Sequence, residues 1–365
     1  MDSSLTPTRG YKIDWLTFTL PEELDQNFRI LKLLGYQKEL FEDCSGRYFF
    51  NAGITLGNYV SVFYNDKSQK LDKYAVNKHC YVFSGVGCTD LDGHIKSDWL
   101  DLFKFLKKNE CKVTRLDVAL DDFEGKINFS TVEKKLSLKH FKSVKRSYNV
   151  VKEQTTEGIV KGETIYIGGR KKSGINGNYF ARFYNKYAEY RSKHQLLPAQ
   201  AQKSGIWQRY ELQFNKVKAE QVVNEILEKK NIGLVYSGIM SSIITFLEPV
   251  KNKNRKNYRN KSNWKVAPWW QEFLQDAEKI NLRHVEQDFN FGGVLAWLRV
   301  AVVPTWQTVS DIFSKYGYSL DEIVTSLEVE KSKKLKRLLS ETEQMPENEF
   351  NQYLRNFVGD SHEDD

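Results

Sequence analysis

Two segments of the chain alternate between apolar and polar residues, the pattern of strands with one buried face. The apolar positions are Leu116, Val118 and Leu120 in residues 113–121, and Tyr210, Leu212 and Phe214 in residues 208–214. The positions between them carry acids beside arginines: Arg115, Asp117 and Asp121 in the first segment, and Arg209 and Glu211 in the second. If the two strands are neighbours in one sheet, Asp117 and Glu211 converge on its polar face.

Further strands and helices are mixed along the chain. Segments rich in β-branched and aromatic residues predict strands at 12–20, 47–64, 80–84, 164–168 and 179–184. Apolar spacing of three and four predicts helices at 22–34, 98–108, 130–138, from about 185, at 218–230, 269–279, 294–301, 305–316 and 320–339. The fold class expected is α+β, with a central, largely antiparallel sheet flanked by helices and a small helical C-terminal domain.

The length of 365 residues predicts more than one domain. We expect a catalytic domain over 1–248, a basic linker or arm over 249–266, a helical domain over 267–340 and a disordered acidic tail over 341–365. The arm carries seven bases and no acid between Pro249 and Lys265, whereas the tail carries eight acids and one base. The net charge of +8 favours a polyanionic partner. Contacts with DNA are predicted for Arg115 and Arg209 on the polar face of the two strands, and for four bases of the arm: Lys253, Arg255, Lys256 and Arg259.

Several classes of protein are disfavoured by the sequence. It has no apolar run of about 18 residues, which a membrane span would need, and its first ten residues lack the apolar core of a signal peptide. We therefore expect a cytoplasmic protein without a membrane partner. The four cysteines form no C-x-x-C pair, and the histidines form no H-x-H or H-E-x-x-H motif. A zinc site is therefore not indicated.

The stretch 182–189 is typical of phosphodiester chemistry. Tyr184 lies between Arg182 and Lys186, and Glu189 follows the lysine by one helical turn. A phenol flanked by cations suits nucleophilic attack on phosphorus, although its ordinary pKa of about 10 means that it must be activated. The alternative is that Tyr184 is an aromatic residue packed at the rim of the sheet. Tyr187 and Tyr190 are alternative nucleophiles.

The acids of the polar face suggest a metal site. Neighbouring carboxylates repel, and Mg²⁺ or Mn²⁺ would relieve the repulsion between Asp117 and Glu211. Asp121 lies about 13 Å beyond Asp117 along an ideal strand, so it joins the site only if the strand bends, and Asp122 is its substitute. The alternative is that these acids form solvent-facing ion pairs across the sheet.

A Gly-rich turn over residues 168–174 contains Arg170, Lys171 and Lys172. Its amide groups and cations could approach a phosphate backbone closely. The alternative is a solvated hairpin tip.

Six motifs, taken in order, resemble the replication initiation factor family, which comprises tyrosine rolling-circle initiators and relaxases of plasmids, filamentous phages and integrative conjugative elements. They are Ile-Asp-Trp-Leu at 13–16, Ser-Gly-Val-Gly-Cys at 84–88, Arg-Leu-Asp-Val-Ala-Leu-Asp-Asp at 115–122, Ile-Tyr-Ile-Gly at 165–168 with Arg170 and Ser173, Arg-Phe-Tyr-Asn-Lys at 182–186 with Glu189, and Arg-Tyr-Glu-Leu at 209–212. Segments 268–274 and 303–305 are similar to the family's helical C-terminal part.

The resemblance implies a relaxase-like endonuclease and strand transferase that nicks one strand of an origin, forms a 5′-phosphotyrosine and leaves a 3′-hydroxyl for DNA synthesis. It implies Tyr184 as the nucleophile and Arg182 and Lys186 as phosphate contacts. The metal ligands that it implies are Asp117, Asp121 and Glu211. The expected partners are origin DNA, as a single-stranded or cruciform segment with flanking duplex, a host helicase and polymerase, and a second copy of the chain. No N-terminal helix-turn-helix is evident, which favours a plasmid or phage protein over a conjugative one.

Two other functions fit part of the pattern. A metal-dependent endonuclease that uses water would keep Asp117 and Glu211, but such sites usually carry a lysine two residues beyond the glutamate, where this chain has Gln213. A non-catalytic origin DNA-binding protein would explain the charge but not three carboxylates directed at one cleft.

Overall fold

The computed structural model describes residues 10–68, 77–95, 98–157, 160–168, 178–192, 197–249 and 260–274, and parts of 291–358. The chain forms two compact units, Met1–Arg283 and His284–Asp365. The predicted DNA contacts Arg170, Lys171, Lys172, Lys253, Arg255, Lys256 and Arg259 lie outside the described residues.

The first unit is built on a sheet of ten strands whose neighbours are all antiparallel, in the order β2-β3-β4-β5-β1-β6-β11-β10-β9-β8. The strands are β1 (Tyr11–Pro21), β2 (Glu42–Ser45), β3 (Ala52–Leu56), β4 (Val60–Tyr64), β5 (Lys78–Phe83), β6 (Lys112–Asp122), β8 (Tyr148–Gln154), β9 (Val160–Ile167), β10 (Tyr179–Asn185) and β11 (Gln208–Asn215). A smaller sheet joins β7 (Phe141–Ser143), β12 (Ile244–Glu248) and β13 (Lys265–Val266). The predicted antiparallel α+β fold is confirmed.

Helices cover one face of the large sheet. The helices of the first unit are α1 (Arg29–Leu33), α2 (Gly85–His94), α3 (Trp99–Lys108), α4 (Phe129–Ser137), α5 (Lys186–Ser192), α6 (Ala199–Ser204), α7 (Val217–Lys229), α8 (Ile232–Ile243) and α9 (Pro268–Leu274). Helices α3, α7 and α8 contact the central strands. Beneath them the alternate apolar residues predicted from the sequence are buried, including Leu116, Tyr210 and Phe214. Because these residues are buried beneath the helices, the residues that alternate with them lie on the opposite face of the sheet.

The opposite face carries the polar residues, and the strand register brings them together. Arg182 of β10 lies opposite Glu211 of β11, and Tyr184 lies opposite Arg209. Arg209 in turn lies opposite Asp121 of β6. The neighbouring strands β6, β11 and β10 therefore place the predicted chemistry on one continuous surface.

Helix α9 belongs to the first unit, although composition places the domain boundary at 249–266. Trp270 is fully buried, and its ring lies 4.9 Å from that of Phe246 and 6.2 Å from that of Phe183. The apolar residues that follow the basic arm therefore return to the core of the sheet domain. Basic composition alone could not show this return.

The segment 22–34, expected to be one helix, is interrupted. A 3₁₀ turn over Glu22–Phe28 has non-helical backbone at Asp25, Gln26 and Asn27 before α1 begins. Asp25 is fully buried and accepts hydrogen bonds from the amide of Ile30 and the hydroxyl of Tyr81, at 2.8 and 2.7 Å. These bonds compensate for the burial of a carboxylate and favour the break.

The described part of the second unit contains α10 (Val303–Lys315), α11 (Leu320–Ser326), α12 (Lys333–Thr342) and α13 (Glu347–Val358). The helix predicted over 320–339 is therefore two helices. The tail 341–365, expected to be disordered, contains α13, on which Phe350, Leu354 and Val358 recur at intervals of four residues. None of the helices among the described residues combines the length and the apolar content that crossing a bilayer requires.

Replacement of Trp270 by alanine tests the role of α9 in the first unit. Because the side chain is fully buried among aromatic rings, Trp270→Ala should lower the free energy of unfolding by about 3–5 kcal/mol. Urea denaturation followed by circular dichroism would measure the loss. Tyr316→Ala, at a side chain that is 76% exposed, is the control and should change stability by less than about 0.5 kcal/mol. Equal stability of the two variants would contradict the assignment of α9 to this core.

Candidate active site

Tyr184 lies near the end of β10 on the polar face, just before α5 begins. Its side chain is 7% exposed, and its hydroxyl donates to Oε2 of Glu211 at 3.5 Å. The guanidinium of Arg182 and the ammonium of Lys186 lie 4.8 and 5.4 Å from the centre of its ring. Burial, and then the negative charge of Glu211, raise the pKa of Tyr184 well above its ordinary range. The phenol therefore carries its proton at neutral pH, beside a carboxylate that can accept it.

Glu211 is fully buried and joins the tyrosine to Arg182. Nη2 of Arg182 donates to Oε1 and Oε2 of Glu211 at 2.7 and 2.6 Å. Lys186, the first residue of α5, donates a hydrogen bond to Glu189 at 2.8 Å. Burial, and then the positive charge of Arg209, lower the pKa of Lys186, against the attraction of Glu189. The two cations that flank Tyr184 in sequence therefore also flank it in space.

Asp14 is a site residue that the sequence analysis left without a role. Its Oδ1 accepts a hydrogen bond from Nη1 of Arg209 at 2.6 Å. The register of β1 on β6 shifts between Ile13 and Trp15, so that two residues of β1 oppose one of β6. This β-bulge turns Asp14 to the polar face. The sequence contained one signal of the bulge: Ile13 and Leu16 are both apolar, although a spacing of three residues breaks the alternation of a strand. Both side chains are buried in the core.

Arg209 and Asp121, predicted as a DNA contact and as a metal ligand, pair with each other in the structure. Arg209, expected to contact DNA, is 2% exposed and donates to both oxygens of Asp121 at 2.6 and 2.7 Å as well as to Asp14. Burial alone would raise the pKa of Asp121, but the hydrogen bonds and charge of Arg209 outweigh it and lower that pKa. Lys12 lies 3.6 Å from the same carboxylate. The charge of Asp121 is thus neutralised by Arg209 and Lys12, whereas Asp117 and Glu211 pair with other arginines.

Asp117 is held differently. It is 2% exposed, and Arg115 donates to its two oxygens at 3.0 and 2.6 Å while lying over the ring of Trp15. Burial raises the pKa of Asp117 well above its ordinary range; the hydrogen bonds from Arg115 oppose this, and the nearby charge of Glu211 adds to it. Asp122, the substitute considered for Asp121, instead accepts backbone amides of Glu124 and Gly125.

The fit of this acidic set to a metal is partial. Within the described residues, no three His, Cys, Asp or Glu side chains have the arrangement of a metal site. All three acids pair with an arginine, but the arginine of Asp121 is 3% exposed and also holds Asp14, whereas those of Asp117 and Glu211 are 25% and 28% exposed and open to the cleft. Asp117 and Glu211 remain as two buried carboxylates on adjacent strands and the same face. Their oxygen donors suit a hard divalent cation.

Two depressions meet at Tyr184. A cleft of about 790 Å³ is lined by Asp14, Trp15, Arg115, Asp117, Arg182, Tyr184, Lys186, Tyr190 and Arg209, among others. A second groove of about 680 Å³, between the β8–β9 hairpin and α5, shares Arg182, Tyr184 and Glu189 with it. A chain of nucleotides lying across both would bring its backbone past the phenol. Tyr190 faces the cleft but packs on Trp207, with 4.6 Å between ring centres.

Comparison with known proteins assigns the chain to a family. A model of the replication initiation factor family matches residues 111–325, more than half of the chain. The chain belongs to the replication initiation factor family.

Relatives of this family member include a Bacillus subtilis (strain 168) protein named as a DNA relaxase, NicK, which is 23% identical over 316 residues, 84% of this chain and 83% of the relative. A solved rolling circle replication initiator protein from Geobacillus stearothermophilus superposes with a TM-score of 0.58 at 24% identity, over 74% of this chain and 99% of that one. The structural likeness shows a common fold for the family member and the initiator.

Removal of Arg209 tests its role inside the protein. Arg209→Met would leave Asp14 and Asp121 buried without their hydrogen-bonded arginine and with only the more distant Lys12, so the free energy of unfolding should fall by about 3–5 kcal/mol. Thermal or urea unfolding would measure the loss. Lys104→Met, which breaks the exposed pair with Asp101, is the control and should leave the unfolding midpoint unchanged. A stable Arg209→Met protein with weakened DNA binding would instead support the DNA contact predicted from the sequence.

Proposed function

We propose that this replication initiation factor nicks one strand of origin DNA by forming a covalent 5′-phosphotyrosine at Tyr184, and later transfers that strand. The observation that carries the proposal is the position of Tyr184, which lines a cleft with two cations close to its ring and with its hydroxyl beside Glu211. Family membership supports a role in replication initiation. The relative named as a DNA relaxase supports nicking chemistry.

The chemistry follows from the side chains that surround the phenol. The Tyr184 oxygen forms a bond to phosphorus as the bond from phosphorus to the 3′-oxygen breaks, so a phosphodiester is conserved and strand transfer is the reverse step. The phenolic proton passes to Glu211, which already accepts its hydrogen bond. Arg182 and Lys186 stabilise the negative charge that grows on the phosphate oxygens. Lys186, whose pKa is lowered and whose ammonium lies 5.4 Å from the Tyr184 ring centre, supplies a proton to the departing 3′-oxygen.

Tyr184→Phe should abolish the covalent adduct while leaving the fold and DNA binding intact, because only the attacking oxygen is removed. Purified protein and a labelled single-stranded oligonucleotide of the cognate origin would be incubated with Mn²⁺ and resolved on a denaturing gel. Tyr187→Phe and Tyr190→Phe are matched controls and should still form the adduct.

An adduct that survives in Tyr184→Phe and disappears in Tyr190→Phe would move the nucleophile to Tyr190. Cleavage without any attached protein would favour a water-using, metal-dependent endonuclease. Binding of the cognate origin without cleavage would favour a non-catalytic origin DNA-binding protein.

We propose further that Asp117 and Glu211 bind a divalent cation, Mg²⁺ or Mn²⁺. Two buried carboxylates on adjacent strands support this, and Asp121 is left out because its arginine is itself buried and shared with Asp14. When bound, the ion would polarise the scissile phosphate. Arg115 and Arg182 each pair with one of these two acids in the structure. Once the ion neutralises the acids, the two arginines would be free to contact the phosphate of the substrate.

Mn²⁺ binding, measured by titration calorimetry without DNA, tests this assignment. Asp117→Asn should weaken the affinity for Mn²⁺ at least tenfold, because it replaces a charged ligand with a neutral side chain of nearly the same shape. Asp121→Asn is the matched control and should bind Mn²⁺ like the unaltered protein. Equal affinities in all three proteins would exclude Asp117 as a ligand, and selective loss in Asp121→Asn would restore the ligand set implied by the resemblance.

Origin DNA is the partner that family membership supports. A host helicase, a polymerase and a second copy of the chain in a homodimer remain predictions. They are consistent with an enzyme that leaves a 3′-hydroxyl for a polymerase to extend.

A further inference from the structure

A cavity of about 260 Å³ lies apart from the candidate active site, where α4, the small sheet and the start of β8 meet. Apolar side chains form part of its wall, including Leu136, Ile167 and Ile244. The charged side chains that line it, among the described residues, are all cationic: Lys139, Lys145, Arg146 and Lys261. The cavity is therefore apolar at its base and basic at its rim, an arrangement suited to a desolvated anion.

Within the described residues, carboxylates do not neutralise these four cations. No salt bridge joins any of them to an acid in the described part of the chain, and the nearby acid Glu248 is paired with Lys135 at 2.6 Å. Lys261 donates to the carbonyl oxygen of Phe141 at 3.2 Å, which fixes its position without removing its charge. The four cations therefore give the cavity a positive potential that can bind an anionic ligand.

Lys145 is the most confined of the four. Its ammonium lies 3.0 Å from the centre of the Tyr179 ring, and the ammonium of Lys218 lies 5.6 Å from the same ring. Burial, and then the charge of Lys218, lower the pKa of Lys145 to about 7. Two lysines thus share one aromatic ring, an arrangement that an anion nearby would stabilise.

Two basic segments recognised in the sequence reach this cavity through their described ends. Gly168, the first residue of the Gly-rich turn, packs so closely on Lys145 that a Cβ at Gly168 would lie 3.0 Å from the lysine Cδ. Lys261 belongs to the arm over 249–266 and lines the cavity itself. Gly168 and Lys261 are therefore the described residues of these two segments that lie at the cavity.

The cavity is also separate from the catalytic cleft. Tyr179 begins β10 and Tyr184 lies near its end, about 17 Å away along an ideal strand and on the opposite face. The cavity and the cleft share no lining residue. A ligand in the cavity would contribute to binding without touching the phosphate that is nicked.

We propose that this cavity binds a phosphate group of the DNA backbone outside the nicked segment. The identity of the polyanion rests on the proposed function, whereas the affinity for a phosphate rests on the four cations. Contacts of this kind supply affinity rather than sequence specificity and make binding sensitive to salt, because each one releases a counterion.

The salt dependence of duplex binding tests the proposal. A fluorescent duplex of arbitrary sequence would be titrated with the unaltered protein and with Lys145→Gln/Lys261→Gln at several salt concentrations. The slope of log affinity against log salt should become shallower by about 1–2, and affinity at moderate salt should fall about tenfold. The control Lys32→Gln/Lys108→Gln removes two exposed lysines on α1 and α3 and gives the same net charge. Equal slopes and affinities in the two double variants would overturn the proposal.

Reductive methylation of the unaltered protein gives a second measurement that does not depend on the folding of a variant. The duplex should protect Lys145 and Lys261 more than Lys32 and Lys108, as read by mass spectrometry of peptides. Equal protection of all four would overturn the proposal. Nicking of the single-stranded origin should persist in Lys145→Gln/Lys261→Gln. If even the unaltered protein fails to nick while protection is seen, the proposed function fails and the phosphate site stands.

Discussion

Pairing between buried carboxylates and arginines on the polar face of the sheet is the interaction on which the site depends. Asp117, Asp121 and Glu211 are each bound through two hydrogen bonds by a different arginine, from the same or a neighbouring strand. Carboxylates in such places are tolerated only when they are paired, because desolvation of an isolated charge is very unfavourable. Since these pairs fix the side chains, the phenol beside them is held in place before any substrate arrives.

The arginines differ in how much water they meet, and that difference separates their roles. The side chain of Arg209 is 3% exposed, whereas those of Arg115 and Arg182 are 25% and 28% exposed. Arg209 therefore acts as an internal counterion for two aspartates. Arg115 and Arg182 hold an acid with one side of the guanidinium and present the rest to the cleft, where a phosphate can reach it.

Strand alternation was enough to place Asp117, Glu211, Arg182 and Tyr184 on one face, because a period of two leaves no freedom once the apolar face is known. The mixed order of predicted strands and helices along the chain predicted the antiparallel α+β fold. The pairing partners were not predictable, since they depend on strand order and register, and this is why Arg209 was read as a DNA contact. The helix predicted over residues 22–34 failed for a similar reason: Tyr81 and His79, two of the three side-chain or backbone partners that Asp25 has among the described residues, lie far away in sequence. The same logic explains a shared fold at 24% identity with the Geobacillus initiator, because alternate apolar positions can be filled by many residues.

The presence of Asp14 in this site depends on one extra residue in β1, and not only on the residue types of the strand. Deletion of Asp14 would remove this bulge and leave only the second register shift between β1 and β6, at Thr17 and Phe18, and the sheet itself would be expected to tolerate the change. Arg209 would nevertheless lose one of its two carboxylates, while Asp121 kept its partner. Gene variants that shorten this strand by a single codon would thus keep the architecture and unbalance the charge at its centre. An alignment that closes the bulge as a gap would hide that difference.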